Sequence, residues 1–307
     1  MVRSFLIVFL SVFFFIESFA QPDTTSHINK QRLKGLLITG GLVYGGTMVG
    51  LNELWYKQYP RSAFHFFNDN KEWLQIDKAG HVHSAYFESV WSINSFKWAG
   101  LSSRKAALIG GGVGFLYQST IEVLDGFSEK WGASLADVVS NALGSSMAIL
   151  QELAWQEQRL YVKYSFHPVV YNDEQLNDRA KSLYGSNLYE TFLKDYNGQT
   201  YWLSLNMASF IKSAKVPDWL NLAIGYSASG MYGGFKNVWE GNGVQIIRDD
   251  VPRVRHYYFS LDMNLAKLKT GSRFLKTLLS LLNHVKVPFS AFSFDNESGI
   301  RFHPIYF

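Results

Sequence analysis

The chain has 307 residues, no cysteine, a net charge of +4 and a 16% aromatic content. That length suits one large domain or two smaller ones. Without cysteine there is no disulfide, thiolate zinc site, thiol nucleophile or acylated N-terminal cysteine, and the scattered basic residues form no nucleic-acid-binding stripe.

Residues 1–20 read as a targeting segment. Arg3 supplies the positive start, "FLIVFLSVFFFI" the apolar run, and Ser18-Phe19-Ala20 a small-x-small cleavage site before Gln21. The expected location is outside the cytoplasm, in the periplasm or on a membrane of the cell envelope, inner or outer. No nucleotide partner is expected there, and "GGGVGF" lacks the Lys-Ser/Thr ending of a phosphate loop.

Polar residues 21–32 precede a first helix predicted over Lys34–Tyr56, with Gly41 and Gly45, and Gly46 and Gly50, spaced for close helix approach. A second helix is predicted over Ile76–Trp98 and a third over Arg104–Leu124, with Ser102 or Ser103 as cap and Gly110 and Gly114 as another packing pair. The fourth spans Leu135–Trp155. Each is about the 20 residues that cross a bilayer, but each is interrupted by glycine or polar groups. Glycine spacing and aromatic ends favour membrane contact over a purely soluble bundle.

Residues 173–198 read as a polar amphipathic helix and a loop, and "YWLSLNMASFIK" as one more short helix. "WLNLAIGY" and "YYFSLDMN" alternate like strands. "SRFLKTLLSLLNHV" returns to helical periodicity with Ser272 as cap, and "FSAFSF", "DNESG" and "IRFHPIYF" form a hairpin. The chain ends on an aromatic, Phe307, as outer-membrane barrels do, but Pro304 interrupts that strand and the strands are too few to close a barrel.

Successive helical residues turn by about 100°. On the second helix Asp77, His81, Ser84 and Glu88 therefore form one stripe; Gln118, Glu122 and Asp125 form another on the third, and Asp137, Asn141 and Gly144 a third on the fourth. Stripes on three apolar helices are expected to face one another, because buried ionisable groups need partners. His81 beside Asp77 has the spacing of two metal ligands, or of a carboxylate orienting an imidazole. Glu122 and Asp125 suit a hard-cation site or general acid–base work. Asn141 offers an amide, and Lys78 lies about 100° round from Asp77. The alternative is architectural: such residues also fix register and hold helices together. His83, off the stripe, reads as a satisfied or interfacial histidine. No serine lies in a Gly-x-Ser-x-Gly elbow or beside a visible base.

"DKAGHVHSAY" followed by "YQSTIEVLDGFSEKWGASLADVVSNALGS" resembles the DUF2279 family, which includes YfiM-like envelope lipoproteins, and more distantly VanZ-like membrane proteins. The matching positions are Asp77, Lys78, His81, Glu122, Asp125, Gly126, Ser134, Asp137, Asn141 and Gly144, within about residues 34–155. The resemblance supplies no activity.

The fold expected is mainly α: residues 21–160 form a bundle of about four hydrophobic helices, and 161–307 a smaller α+β region with short antiparallel strands. The function expected is an envelope protein, membrane-associated, whose buried polar site binds an ion or a lipid or glycan headgroup. The binding set is Asp77, Lys78, His81, Glu88, Gln118, Glu122, Asp125, Asp137 and Asn141. Metal ligands, were a divalent cofactor present, come from Asp77, His81, Glu122 and Asp137. The rival is a hydrolase or transferase on envelope lipid or cell-wall precursor, drawing on His81, Glu122, Asp125 and Asp137.

Overall fold

The computed structural model describes residues 27–57, 59–211, 215–241 and 243–306. The targeting segment over 1–20 and the terminal Phe307 lie outside the described residues.

Among the described residues, four long helices come first. Helix α1 (Lys30–Leu51) starts at Asn29, whose side chain accepts from the Arg32 amide, and runs into a π turn over Asn52–Tyr56. After a short 3-10 turn come α2 (Ile76–Trp98) and α3 (Ser103–Gly126). Ser134 caps α4 (Leu135–Trp155), which stops where Gln156 takes a left-handed conformation, φ 56°. Asp173 caps α5 (Glu174–Tyr184) and Asn187 caps α6 (Leu188–Lys194) by the same side-chain bond to a first-turn amide. Helix α7 is Arg273–Leu282.

Strands β1 (Leu160–Phe166), β2 (Gln199–Asn206), β3 (Leu220–Ser229), β6 (Val254–Met263), β7 (Phe289–Asp295) and β8 (Gly299–Tyr306) form one six-stranded sheet in that order. Every neighbouring pair is antiparallel. β4 (Val238–Gly241) and β5 (Val244–Ile247) form a separate hairpin.

The chain divides into two units. One holds residues through Asn68, Ser84–Gln158 and Lys269–Leu278; the other holds Asp69–His83, Arg159–Leu268 and Leu279–Phe307. In the first, α2 and α3 approach through glycine, as their spacing predicts. A β-carbon on Gly110 would lie 2.5 Å from the Ile93 backbone nitrogen, and one on Gly114 would lie 2.7 Å from the Ala85 carbonyl. The α1 glycines Gly41, Gly45 and Gly46 meet nothing within 4 Å. Outward positions are aliphatic: Leu108, Leu116, Val139, Leu143 and Leu150 are all exposed.

The expected mainly α fold with a minor tail of short strands is overturned. The sheet is a principal part of the molecule, and two of its strands are 10 residues long. Residues 160–166 gave no strand signal, and "YWLSLN", expected to begin a helix, is part of β2. The reason is chemical. The buried side of this sheet carries Lys163, Thr200, Ser204, Asn221, Ser260 and Asp262 interleaved with Trp202, Ala223, Tyr258 and Ala291. An alternation of buried polar with exposed apolar residues does not advertise a core face.

Candidate functional site

In the helical unit, polar side chains line the helix contacts. The Gln118 amide on α3 donates to Glu88 Oε1 on α2 at 2.7 Å. Glu88 Oε2 is buried with no hydrogen-bond partner among the described residues. Desolvation pushes the Glu88 carboxyl up to about 8, and the Gln118 bond offsets only part of that rise. Between α3 and α4 the link is Ser134. Its amide donates to Glu122 Oε2 at 3.1 Å, and its hydroxyl accepts from the Asp137 amide at 3.1 Å. Glu122, Asp137 and Asn141 are all buried, Asn141 completely. The two acids thus sit at the positive end of the α4 dipole, where negative charge is favoured.

Further along the seam, Ser89 Oγ lies 3.0 Å from Ser145 Oγ and 3.1 Å from the Gly111 carbonyl. The Lys97 ammonium donates to Glu152 at 2.6 Å. Asp125 accepts the Tyr56 hydroxyl at 2.8 Å. Burial first, and then the Asp125 charge, raise that phenol well above its ordinary range.

The other unit holds a second cluster, built from the first turns of α2. Lys78 donates to Asp69 and, at 3.1 Å, to Asp77 Oδ2. Tyr196 donates its hydroxyl to Asp77 Oδ1 at 3.0 Å, and His81 Nε2 lies 4.0 Å from the same oxygen. Within this unit the structure therefore brings Asp77, Lys78 and His81 together. Lys78 bridges two carboxylates instead of pointing away from the stripe. His83 packs beside the Tyr164 and Tyr201 rings, at 5.8 and 5.9 Å between centroids. Desolvation depresses it to about 4, so it is neutral at pH 7.

One constellation had no sequence signal. Ser229 Oγ on β3 lies 2.8 Å from His256 Nε2 on β6, and His256 Nδ1 lies 3.2 Å from Asp295 Oδ2 on β7. With the Nδ1 proton directed at Asp295, Nε2 accepts from the serine hydroxyl. That is the order nucleophile, base, orienting acid. Asp295 also accepts the Glu297 and Ser298 amides and so shapes the β7–β8 turn. The three residues lie on separate strands of the sheet. Only the β3–β6–β7 register aligns them, so no local motif could have flagged them.

Residues 65–153 match the family model described as "Predicted periplasmic lipoprotein (DUF2279)". The periplasmic description agrees with the expected export and envelope association. Its lipoprotein part calls for a cysteine to acylate, and this sequence has none. No curated protein and no solved structure matches the chain.

Proposed function

We propose that this envelope protein associates with a membrane through its helical unit and holds a cation, either a divalent metal ion or the ammonium of a lipid headgroup, on the acid-rich seam of Glu88, Glu122, Asp137 and Asn141. One observation carries the reading: Glu122, Asp137 and Asn141 are buried beside a core of Tyr86, Ile93 and Phe96, while Leu108, Leu116, Val139, Leu143 and Leu150 lie outside. Burying acids costs free energy unless partners or a ligand compensate, and intramembrane acids are functional candidates by default. Carboxylate oxygens with an amide carbonyl are hard-cation ligands. Asp69, Asp77, Lys78 and His81 form a hydrogen-bonded cluster at the start of α2. The test is calorimetric titration of calcium, magnesium and zinc ions into detergent-solubilised protein. Asp137→Asn should weaken binding at least tenfold while helical content persists. Equal affinity in wild type and variant would remove the seam from the function.

A second reading, hydrolysis of an envelope ester, is supported by the Ser229–His256–Asp295 geometry. It transfers the enzymatic alternative from the helical acids to the sheet. A fluorophosphonate probe should label the wild-type protein at Ser229 and leave Ser229→Ala unlabelled. Absence of wild-type labelling would end this reading.

A further inference from the structure

The six-stranded sheet has its chemistry reversed. Its buried side is rich in internally bonded polar groups set around Trp202, Ala223 and Tyr258. Lys163 and Asp262, both fully buried, form an ion pair at 2.7 Å. Asp262 also accepts the Ser204 hydroxyl at 2.6 Å and the Val287 amide at 3.1 Å. Asn221 donates to Ser204 at 2.8 Å, and Asn206 donates to Asn221 at 2.8 Å. The opposite side is apolar and, beyond Tyr201 and Tyr226, which pack against Ile76, it is open; the strand register assembles it into continuous cross-strand rows. One row runs Leu203, Ile224, Phe259, Phe292, Phe302; a second runs Tyr226, Tyr257, Phe294, Ile300. Leu222 and Leu261 continue the surface. Ile224, Phe259, Phe292 and Phe302 are each more than half exposed, at 57%, 51%, 52% and 57%.

A soluble antiparallel sheet buries its apolar side and wets its polar one. Here the protein itself covers the polar side, so something else must cover the other.

We propose that the outward face of this sheet contacts the hydrocarbon of a lipid bilayer. Four observations favour lipid over a protein partner. First, no charged residue occupies an outward position from Tyr257 to Met263 on β6, from Leu220 to Tyr226 on β3, or at Phe292 and Phe294 on β7. A protein-binding patch carries arginine and a polar rim; a lipid-facing one does not. Second, Tyr257, half exposed, lies at one end of the face 5.6 Å from Tyr226, whose hydroxyl is anchored on the Leu74 carbonyl, and Arg255 follows beyond them. Aromatic residues mark the interface of membrane sheets. Third, β3 and β6 are each 10 residues long, within the range of roughly 9–11 for a strand at bilayer depth. Fourth, α7 between β6 and β7 exposes Phe274, Leu275 and Leu282 beside Arg273 and Lys276, the composition of an interfacial amphipathic helix. The outer edge of β1 is bonded to residues 284–286, through Tyr164 with His284 and Lys286, each at 2.9 Å. At the other edge, Pro304 removes one strand donor from β8. The sheet reading does not depend on whether the helical seam binds a cation.

The cysteine-free chain permits a clean test. Nitroxide labels are placed singly by Ile224→Cys, Phe259→Cys, Phe292→Cys and Ile300→Cys, with Asp249→Cys in an exposed turn as the aqueous reference. The full chain is reconstituted in phosphatidylethanolamine–phosphatidylglycerol vesicles, and collision with oxygen is compared with collision with a water-soluble nickel chelate. Labels on the outward face should favour oxygen, and the Asp249 label should favour nickel. Ile300→Cys, on an edge strand, keeps the test open if a central variant does not fold. Nickel access at the sheet positions equal to that at Asp249 would overturn the proposal. So would shielding from both reagents with spin coupling between copies, which would assign the face to a second copy of the chain.

Discussion

Glu88 shows how a single residue reports its surroundings. Its folded-state carboxyl is raised to about 8 by desolvation, well above its value of 4.5 in water. A raised carboxyl keeps its proton longer in the folded state than in the unfolded one. Stability is therefore lost as pH climbs from about 4.5 to about 8. Glu88→Gln keeps an acceptor for Gln118 and removes the ionisation. It should raise the thermal midpoint above pH 8, by an amount equivalent to roughly 2 kcal/mol after allowance for partial exposure. The gap should close near pH 4.5, where the wild-type residue is neutral as well. Melting curves of both proteins across that range check it. A gap independent of pH would show that Glu88 is not the titrating group. Glu122 and Asp137 differ from Glu88 in kind, because Ser134 ties them to the start of α4.

The elements were unequally legible. The helices α2, α3 and α4 follow from apolar periodicity, and the close approach of α2 and α3 from the Gly110 and Gly114 pair. The α1 glycines carry the same spacing yet meet open space, since spacing permits close approach without supplying a neighbour. β3, β6 and the β7–β8 hairpin were readable from alternation. β1 was not, because the neighbouring residues of "YVKYS" are buried on both sides and its central residue is a lysine. Lys163 makes sense only once Asp262, on another strand, lies beside it. Breaking such a pair leaves one buried charge stranded. Lys163→Met should destabilise the sheet unit by about 3–5 kcal/mol. Adding Asp262→Leu should restore most of that loss, since an apolar pair of similar volume is often neutral. Chemical denaturation of the single and double variants checks this. A double variant no better than the single would mean that the loss of packing, not the stranded charge, sets the cost.

At the scale of the molecule, both units bury many polar side chains beside their apolar cores and expose many apolar ones. The polar stripes were visible in the sequence because a helix repeats every 3.6 residues and collects distant positions on one face. Their partners were not visible, because Tyr56, Tyr196 and Asp69 come from outside those helices. The sheet's Ser229–His256–Asp295 chain was hidden for the same reason. The periplasmic description of the family matched at residues 65–153 agrees with an envelope location, and the buried acids make the protein a binder of cations in our reading. Native mass spectrometry with elemental analysis, on protein extracted in mild detergent, tests that reading most directly. The account predicts a bound divalent metal or an amine-headgroup lipid on the wild-type chain, absent from folded Asp137→Asn. A wild-type chain that carries neither, even after incubation with both, would contradict it.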